Sequence, residues 1–544
     1  MITRATVGPL DRLRPVWKWL IRLEGRPLGL LLVGIAAAVA YALRSIAWPV
    51  AAGADLDDYL RYYVELTDSD PVLPAIILSR TPLTPIVDGL LLDVAGGILA
   101  APGLAALYAV SVVAWTAAGR WIAPGVGLVL GVVLLLYPGY AGMFHVVSSE
   151  PVYAAVFSLW AWMLARTLVA PSLGRAALVG VGVAALTLTR PGSQLFVIFA
   201  LAPLLFRRRS LRSRMAMSGL VIAGAVLPLA GWALLNDARY GEITVARGGN
   251  TALFHHAFVV DRIIERGNGP ATRQLLDEIE RSLLTREPYR SYGVSLDDVL
   301  SSGSLRISED LGVLAHKRWG WDGGADKLQK VGSEALKAHP GTYAKNVLRS
   351  IWLELSEPYY RAYAGLTPSD ESAHVGGQVN AKGLPIPSEG ELIPGGQSGW
   401  IVRPDNAIRQ VWTSPTEQTY VFANTEIEQR FWAIERETDT LFAALPDYDG
   451  SGTLARRLNQ LSRWFPRPVV WLIAAVLALA IRRPRRIAVM LASALAAAIV
   501  VSATAAATPP DVRYVLPVAP AFILLALGAL LGERRHARDV SEAG

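Results

Sequence analysis

Three carboxylates crowd into the run Gly53-Ala54-Asp55-Leu56-Asp57-Asp58-Tyr59, with Arg61-Tyr62-Tyr63 directly behind them. An ionised carboxylate beside a bound hydroxyl can take its proton, which makes Asp55, Asp57 and Asp58 candidates for a general base. A local role competes with that one. Asp55 can N-cap a helix running from Leu56 to Leu66, with Asp58 at the third helical position closing an acidic capping box. The two roles are compatible, because helix-end amides would hold Asp55 ionised and oriented.

Three arginines could serve an anionic group. Arg80 stands in Ser79-Arg80-Thr81-Pro82-Leu83-Thr84-Pro85, and its guanidinium can fork onto two phosphate oxygens or snorkel to lipid headgroups. Arg190, between Thr189 and Pro191, interrupts an apolar stretch, where a charge is costly unless it faces protein or a wet cavity. Arg513-Tyr514 follows Pro509-Pro510-Asp511; such a pair can bind an anion or anchor a membrane boundary, and Asp511 can pair with Arg513. The run His145-Val-Val-Ser-Ser-Glu150-Pro151 offers a second acid in Glu150, while Ser149 can cap the helix that follows. Tyr59, His145, Glu150 and Tyr514 are thereby candidates to line a substrate cavity.

Several chemistries are excluded. There is no cysteine, hence no disulfide, thiolate metal site or thiol nucleophile. No Gly-x-x-x-x-Gly-Lys-Ser/Thr loop, His-Glu-x-x-His or Gly-x-Ser-x-Gly occurs, and His255-His256 are adjacent, a poor spacing for two ligands on one helix face. The net charge of +7 comes with short arginine clusters between apolar runs, too short for a nucleic-acid surface.

The elements that must position these residues are membrane helices. The 544 residues are 52% hydrophobic and only 18% charged, against about 25% charged in soluble chains. Apolar runs of about 20 residues cross a bilayer as helices, because lipid offers nothing to an unpaired amide. Leu28–Trp48 is the first, an uncleaved anchor preceded by Arg4, Arg12, Arg14, Lys18, Arg22 and Arg26. Further spans are expected near Pro102–Gly119, Pro124–Met143, Pro151–Leu168, Arg175–Thr189, Gly192–Phe206, Met215–Leu235, Pro468–Ile481, Ile487–Ala507 and Val512–Leu531, about ten in all.

The clusters Arg207–Arg214, Arg482–Arg486 and Arg534–Arg538 all fall inside if both termini are cytoplasmic. That parity requires Leu83–Ala100, interrupted by Asp88 and Asp93, to lie along the outer surface rather than cross. The expected layout is therefore an all-α polytopic membrane protein. It has a cytoplasmic N-terminus (1–27), a membrane module (28–235) whose first outer loop (49–101) carries the acids, a domain outside the cytoplasm (236–466), terminal spans (467–532) and a cytoplasmic tail (533–544). The 236–466 domain is expected to be mainly α or mixed α/β. Pro270–Leu284 and Asp326–Ala338 look helical, and the glycine-rich Gly376–Gly396 reads as a loop.

The order of these motifs resembles the GT-C superfamily of membrane glycosyltransferases, particularly the bacterial branch related to protein O-mannosyltransferases and lipid A aminoarabinose transferases. The Asp-x-x-acid-Tyr motif after the first span is matched by Asp55–Tyr59, and the Arg-x-Pro-x-x-Pro-like juxtamembrane motif by Arg80–Pro85. A Ser-Glu helix start is matched by Ser149-Glu150, an Arg-Pro by Arg190-Pro191, and a late Arg-Tyr-x-x-Pro by Arg513–Pro517; Glu334–Tyr343 is also similar to such chains. Leu83 stands where a glycine is usual, and the first motif is Asp-rich rather than Asp-Glu.

The resemblance implies a sugar taken from a polyprenyl-phosphate donor and passed, with inversion, to a glycolipid, cell-envelope glycan or protein, in a bacterial plasma membrane with the site on the extracytoplasmic face. Asp55 would be the general base, with Asp57 or Asp58 as the alternate, and Arg80, Arg190 and Arg513 would hold the donor phosphate. A divalent metal serves some members, and no metal ligand is assigned here. A flippase of lipid-linked sugars, or an inactive scaffold of the same fold, are the competing expectations.

Overall fold

The computed structural model describes residues 21–532, apart from 23, 69, 95, 248–250, 359–383, 385–390, 394–404, 406, 416, 447–451 and 483. Arg4, Arg12, Arg14 and Lys18, most of the Gly376–Gly396 loop, Arg483 and the Arg534–Arg538 cluster lie outside the described residues.

The protein is a helical membrane protein. Seven helical stretches are long and apolar enough to cross a bilayer. These are α1 (Pro27–Ser45), α5 (Ala100–Arg120), α8 (Ser149–Val169), α10 (Leu211–Tyr240), the composite Thr453–Ile481, α17 (Ile487–Ala507) and the stretch Val512–Leu531, which ends in α18 (Ala519–Leu531). Before α5 come α2 (Leu56–Glu65), α3 (Pro74–Ser79) and α4 (Leu83–Asp93).

Seven falls short of the expected count of about ten; among the described residues the other three expected spans correspond to shorter apolar elements. The Pro124–Met143 segment is broken into α6 (Val126–Leu136) and α7 (Pro138–Met143). Pro138 is the reason: a proline drives the residue before it out of the helical region, and Tyr137 has φ −83° and ψ 100°. Next are α9 (Leu173–Thr189) and a 3₁₀ helix, Pro191–Leu205. At about 2.0 Å per residue that tighter coil reaches roughly 30 Å, whereas the shorter α6 rises only about 16 Å.

Segment 236–466 is mainly helical, with α11 (Pro270–Glu278), α12 (Leu305–Ala338, kinked at Gly320), α13 (Pro340–Ser356), α14 (Thr425–Phe442) and α15 (Thr453–Trp464); α16 (Pro468–Ile481) follows. Its one described hairpin pairs β3 (Ile408–Trp412) with β4 (Gln418–Phe422). It has its own apolar core around Phe258, Leu275, Ile279, Val299, Leu311 and Val331. That core is fixed to the last turn of α17: His256 Nε2 lies 3.0 Å from the Ala505 carbonyl, and the Tyr343 hydroxyl donates to the Ala506 carbonyl at 3.1 Å.

Within Leu83–Ala100 the described residues form the short α4, which ends at Asp93 and at 11 residues is too short to cross a bilayer. A further cluster, Tyr62, Leu73, Ile77, Ile408, Phe431 and Ile434, packs the 49–101 loop against β3 and α14.

Helices α9 and α10 touch backbone to backbone. A Cβ on Gly180 would fall 2.2 Å from the Val221 carbonyl oxygen, and one on Gly224 would fall 2.6 Å from that of Ala177. Small residues let membrane helices approach this closely, which supplies packing where lipid cannot supply a hydrophobic drive. Gly180→Leu is therefore expected to cost about 1–3 kcal/mol, read as a lowered unfolding midpoint in detergent. Gly231→Leu, on the same helix pair with nothing within 4 Å, is the control and should melt normally.

Candidate functional site

The first acidic loop is clipped to the start of α8 by a very short parallel pair. β1 (Ala51–Ala52) aligns with β2 (Val146–Val147), the Ala51 amide donates to the His145 carbonyl at 3.1 Å, and the Gly53 amide to that of Val147 at 3.0 Å. Gly53 is required here. A Cβ would lie 2.6 Å from both Ser148 Cβ and Val146 Cγ1.

Beyond this clip Asp55 takes a left-handed conformation, φ 62° and ψ 13°, and α2 begins at Leu56. Its side chain makes no capping hydrogen bond, so the capping box expected of Asp55 and Asp58 is absent. Arg80 engages both acids instead: its Nη2 donates to Asp58 Oδ2 at 2.8 Å and lies 3.4 Å from Asp55 Oδ1. Asp57 turns to Arg61 at 3.0 Å, and Arg61 forks onto both oxygens of Glu435 at 2.7 and 3.0 Å, tying α2 to α14. The three acids thus have different surroundings. Asp55 keeps 43% of its side chain exposed, whereas Asp58 keeps 17%.

Burial lifts the Asp58 carboxyl above its usual range despite the pull of Arg80. Burial also pushes the Tyr59 hydroxyl up to about 12, so it stays protonated as a donor. The Arg80 guanidinium lies 5.4 Å from the Tyr59 ring centre.

A second half-site stands beside the first. Arg190 occupies the break between α9 and the 3₁₀ helix, and its Nη2 donates to Glu150 Oε1 at 2.6 Å and to Ser149 Oγ at 2.8 Å. Ser149 is therefore not the cap expected of it. Ser148 precedes the helix, without a side-chain capping bond, and the Ser149 hydroxyl is engaged by Arg190. Ser149 also hydrogen-bonds Tyr59, which makes it the bridge between the halves. The Arg190 guanidinium lies over both the Tyr153 and the Tyr514 ring, at 5.2 and 5.6 Å from their centres. Arg513 donates from Nη2 to the Tyr514 hydroxyl at 3.0 Å and pairs through Nε with Asp511 Oδ2 at 3.0 Å, as the sequence allowed. Its charge reaches Glu150.

Of the sequence candidates, then, Asp55, Asp58, Tyr59, Arg80, Glu150, Arg190, Tyr514 and Arg513 form, with Ser149, one continuous chain of contacts drawn from five separated segments. Asp57 sits at its edge on Arg61. His145 is fully buried, its ring stacked on Tyr41 at 4.1 Å with Trp48 edge-on.

Sequence reasoning overlooked Ser149 as the bridge, the Arg61–Glu435 tie and Asp88. Asp88 on α4 is fully buried, with neither carboxylate oxygen hydrogen-bonded. Burial pushes its carboxyl well above the ordinary range, and the nearby Glu150 charge adds to this. Its only sequence signal was an acid inside an apolar helix.

Among the described residues no group of three or more His, Cys, Asp or Glu side chains could hold a metal ion. What the cluster offers is a partly exposed carboxylate beside guanidinium groups with further donors: among the described residues Arg80 and Arg190 each make their hydrogen bonds through Nη2 alone. No family model matches the chain, and no curated protein matches it either.

Proposed function

We propose that this membrane protein is an inverting glycosyltransferase of the GT-C kind, moving a sugar from a polyprenyl-phosphate donor to a glycolipid, cell-envelope glycan or protein acceptor. The observation that carries this reading is the Asp55–Arg80–Asp58–Tyr59–Ser149–Arg190–Glu150 chain of contacts, with Tyr514 and Arg513 closing its far end. A carboxylate able to accept a proton thus lies beside cations able to receive a phosphate, at the ends of apolar helices.

Asp55 takes the acceptor hydroxyl proton as that oxygen bonds to the anomeric carbon. The bond from that carbon to the phosphate oxygen breaks, and its electron pair leaves with the polyprenyl phosphate. Arg190 and Arg80 stabilise that charge with their remaining N–H groups, and Arg513 adds its positive charge beside them. Asp58 is a positioning residue, holding Arg80 against Asp55. The membrane is a bacterial plasma membrane, the cluster lies at its outer face, and segment 236–466 covers it from outside, reaching it through Glu435 and Arg61.

The test is direct. Purified protein in liposomes, given polyprenyl-phosphate sugars carrying labelled sugar and a panel of glycan acceptors, is expected to release free polyprenyl phosphate and label an acceptor. Exchange of intact lipid-sugar across the bilayer without release would indicate a flippase, and silence across the panel a scaffold.

The β1–β2 clip gives a subtler prediction. Gly53→Ala must push the strands apart, and a displacement of about 1 Å at the reacting groups can cost roughly 100-fold in rate. Turnover should fall to that extent with a melting loss of only about 1–3 kcal/mol.

A further inference from the structure

Helix α15 carries three parallel lines of side chains, each spaced two turns apart. Ala455 and Ser462 are buried, at 1% and 3% exposure, and the helix packs against α7. Leu454 and Leu461, one position earlier, are exposed at 48% and 58%, and Trp464 on the adjoining flank is exposed at 87%. Arg456 and Arg463, one position later, are exposed on the other side, with Arg457 beside Trp464. The helix therefore has one packed edge, one uncovered apolar face and one cationic face.

Its direction is fixed. Phe465 stacks on Tyr137 at 4.0 Å and 7°, the indole N–H of Trp471 donates to the Pro466 carbonyl at 3.1 Å, and Arg467 leads straight into the apolar α16. The uncovered apolar face is thus continuous with a surface that the membrane already covers. Charge points to the occupant. No Asp or Glu occurs from Gly450 to Pro510, while Arg456, Arg457, Arg463 and Arg467 gather within a dozen residues.

We infer that α15 is an interfacial helix that lies in the bilayer boundary, sinks Leu454, Leu461 and Trp464 among the acyl chains, and binds the headgroups of anionic phospholipids through these arginines. Apolar faces of this kind settle at the headgroup–acyl boundary, and each arginine near an anionic surface adds electrostatic attraction. Long guanidinium stems let the charges reach phosphates while the stems cover apolar surface. This inference rests on the membrane reading and not on the glycosyltransferase reading, so the two fail separately.

The absence of cysteine makes the experiment clean. Leu461→Cys and, separately, Arg456→Cys are labelled with an environment-sensitive fluorophore and reconstituted into vesicles of phosphatidylcholine containing a small fraction of phospholipid with a nitroxide high on the acyl chain. The spin-labelled lipid is either phosphatidylglycerol or phosphatidylcholine. The label at 461 is expected to be quenched more strongly than that at 456. Quenching by spin-labelled phosphatidylglycerol should exceed that by phosphatidylcholine by about threefold or more. Added to the 461 probe, the set Arg456→Gln, Arg457→Gln, Arg463→Gln and Arg467→Gln should equalise the two lipids while leaving depth unchanged.

Equal quenching with the arginines intact would overturn headgroup selection. Quenching of the 461 probe by aqueous iodide but by neither lipid would overturn the interfacial placement, and protection from both would assign the face to a protein partner or a second copy instead.

Discussion

Asp55→Asn is expected to remove transfer while leaving the protein folded and inserted. Loss of a general base costs about 100- to 10,000-fold in kcat, and KM for the donor should barely move. The substitution is well suited to its site. Asp55 holds φ 62°, a left-handed conformation that asparagine adopts more readily than most residues, so the turn into α2 should survive. The side chain makes no capping bond that could be lost, and its contact with Arg80 is the longer of that arginine's two, at 3.4 Å.

The neighbouring acids provide the contrast. Asp57→Asn loosens only a contact to Arg61, which Glu435 still holds by two bonds, and should stay within a few-fold of the parent rate. Asp58→Asn releases the Arg80 fork and should raise KM as well as lower kcat, since Arg80 then lacks its anchor. Initial rates on labelled polyprenyl-phosphate donor, with melting curves alongside, separate the three. Unchanged turnover in Asp55→Asn would take the base away from this residue.

The membrane-helix class was legible because hydropathy is a property of runs, and α17 spans the same residues as expected from them. Breaks were less legible. The segment expected as Pro124–Met143 splits at Tyr137 because Pro138 acts within the apolar run, and hydropathy alone has no term for that.

At the site, residue types were informative and local roles were not. Asp55 and Asp58 have ideal capping spacing, yet Arg80, 22 positions along, outcompetes the helix amides for Asp58. Ser149 likewise precedes an apolar run, but Arg190, 41 positions along, engages its hydroxyl. Charge-assisted bonds between distant segments override local capping signals, and a single sequence does not reveal which segments meet. The β1–β2 clip is only two residue pairs long, below any periodicity signal.

The second large effect is expected at the Arg190–Glu150 pair, and it separates a functional cation from a structural one. Removing the guanidinium in Arg190→Met strands a buried Glu150 carboxylate. Stranding one member of a buried pair costs about 3–5 kcal/mol, so the unfolding midpoint should drop sharply. Loss of activity in that variant alone says nothing about chemistry. The double variant Arg190→Met with Glu150→Leu replaces the pair by apolar groups of similar volume, a change that is often neutral for stability, and should recover most of the melting loss.

If Arg190 receives the departing phosphate, the recovered protein still lacks it. Turnover should then remain about 100- to 1,000-fold down, the scale of losing one group that stabilises transition-state charge. Arg190→Lys sharpens the distinction. An ammonium can still neutralise Glu150, but it has no planar fork to reach Ser149, Glu150 and a phosphate together, and it stacks less well on Tyr153 and Tyr514. It should melt close to the parent and turn over slowly. A double variant that regains full turnover along with stability would instead make the pair a packing element, and would leave Arg80 and Arg513 as the cations through which the phosphate must leave.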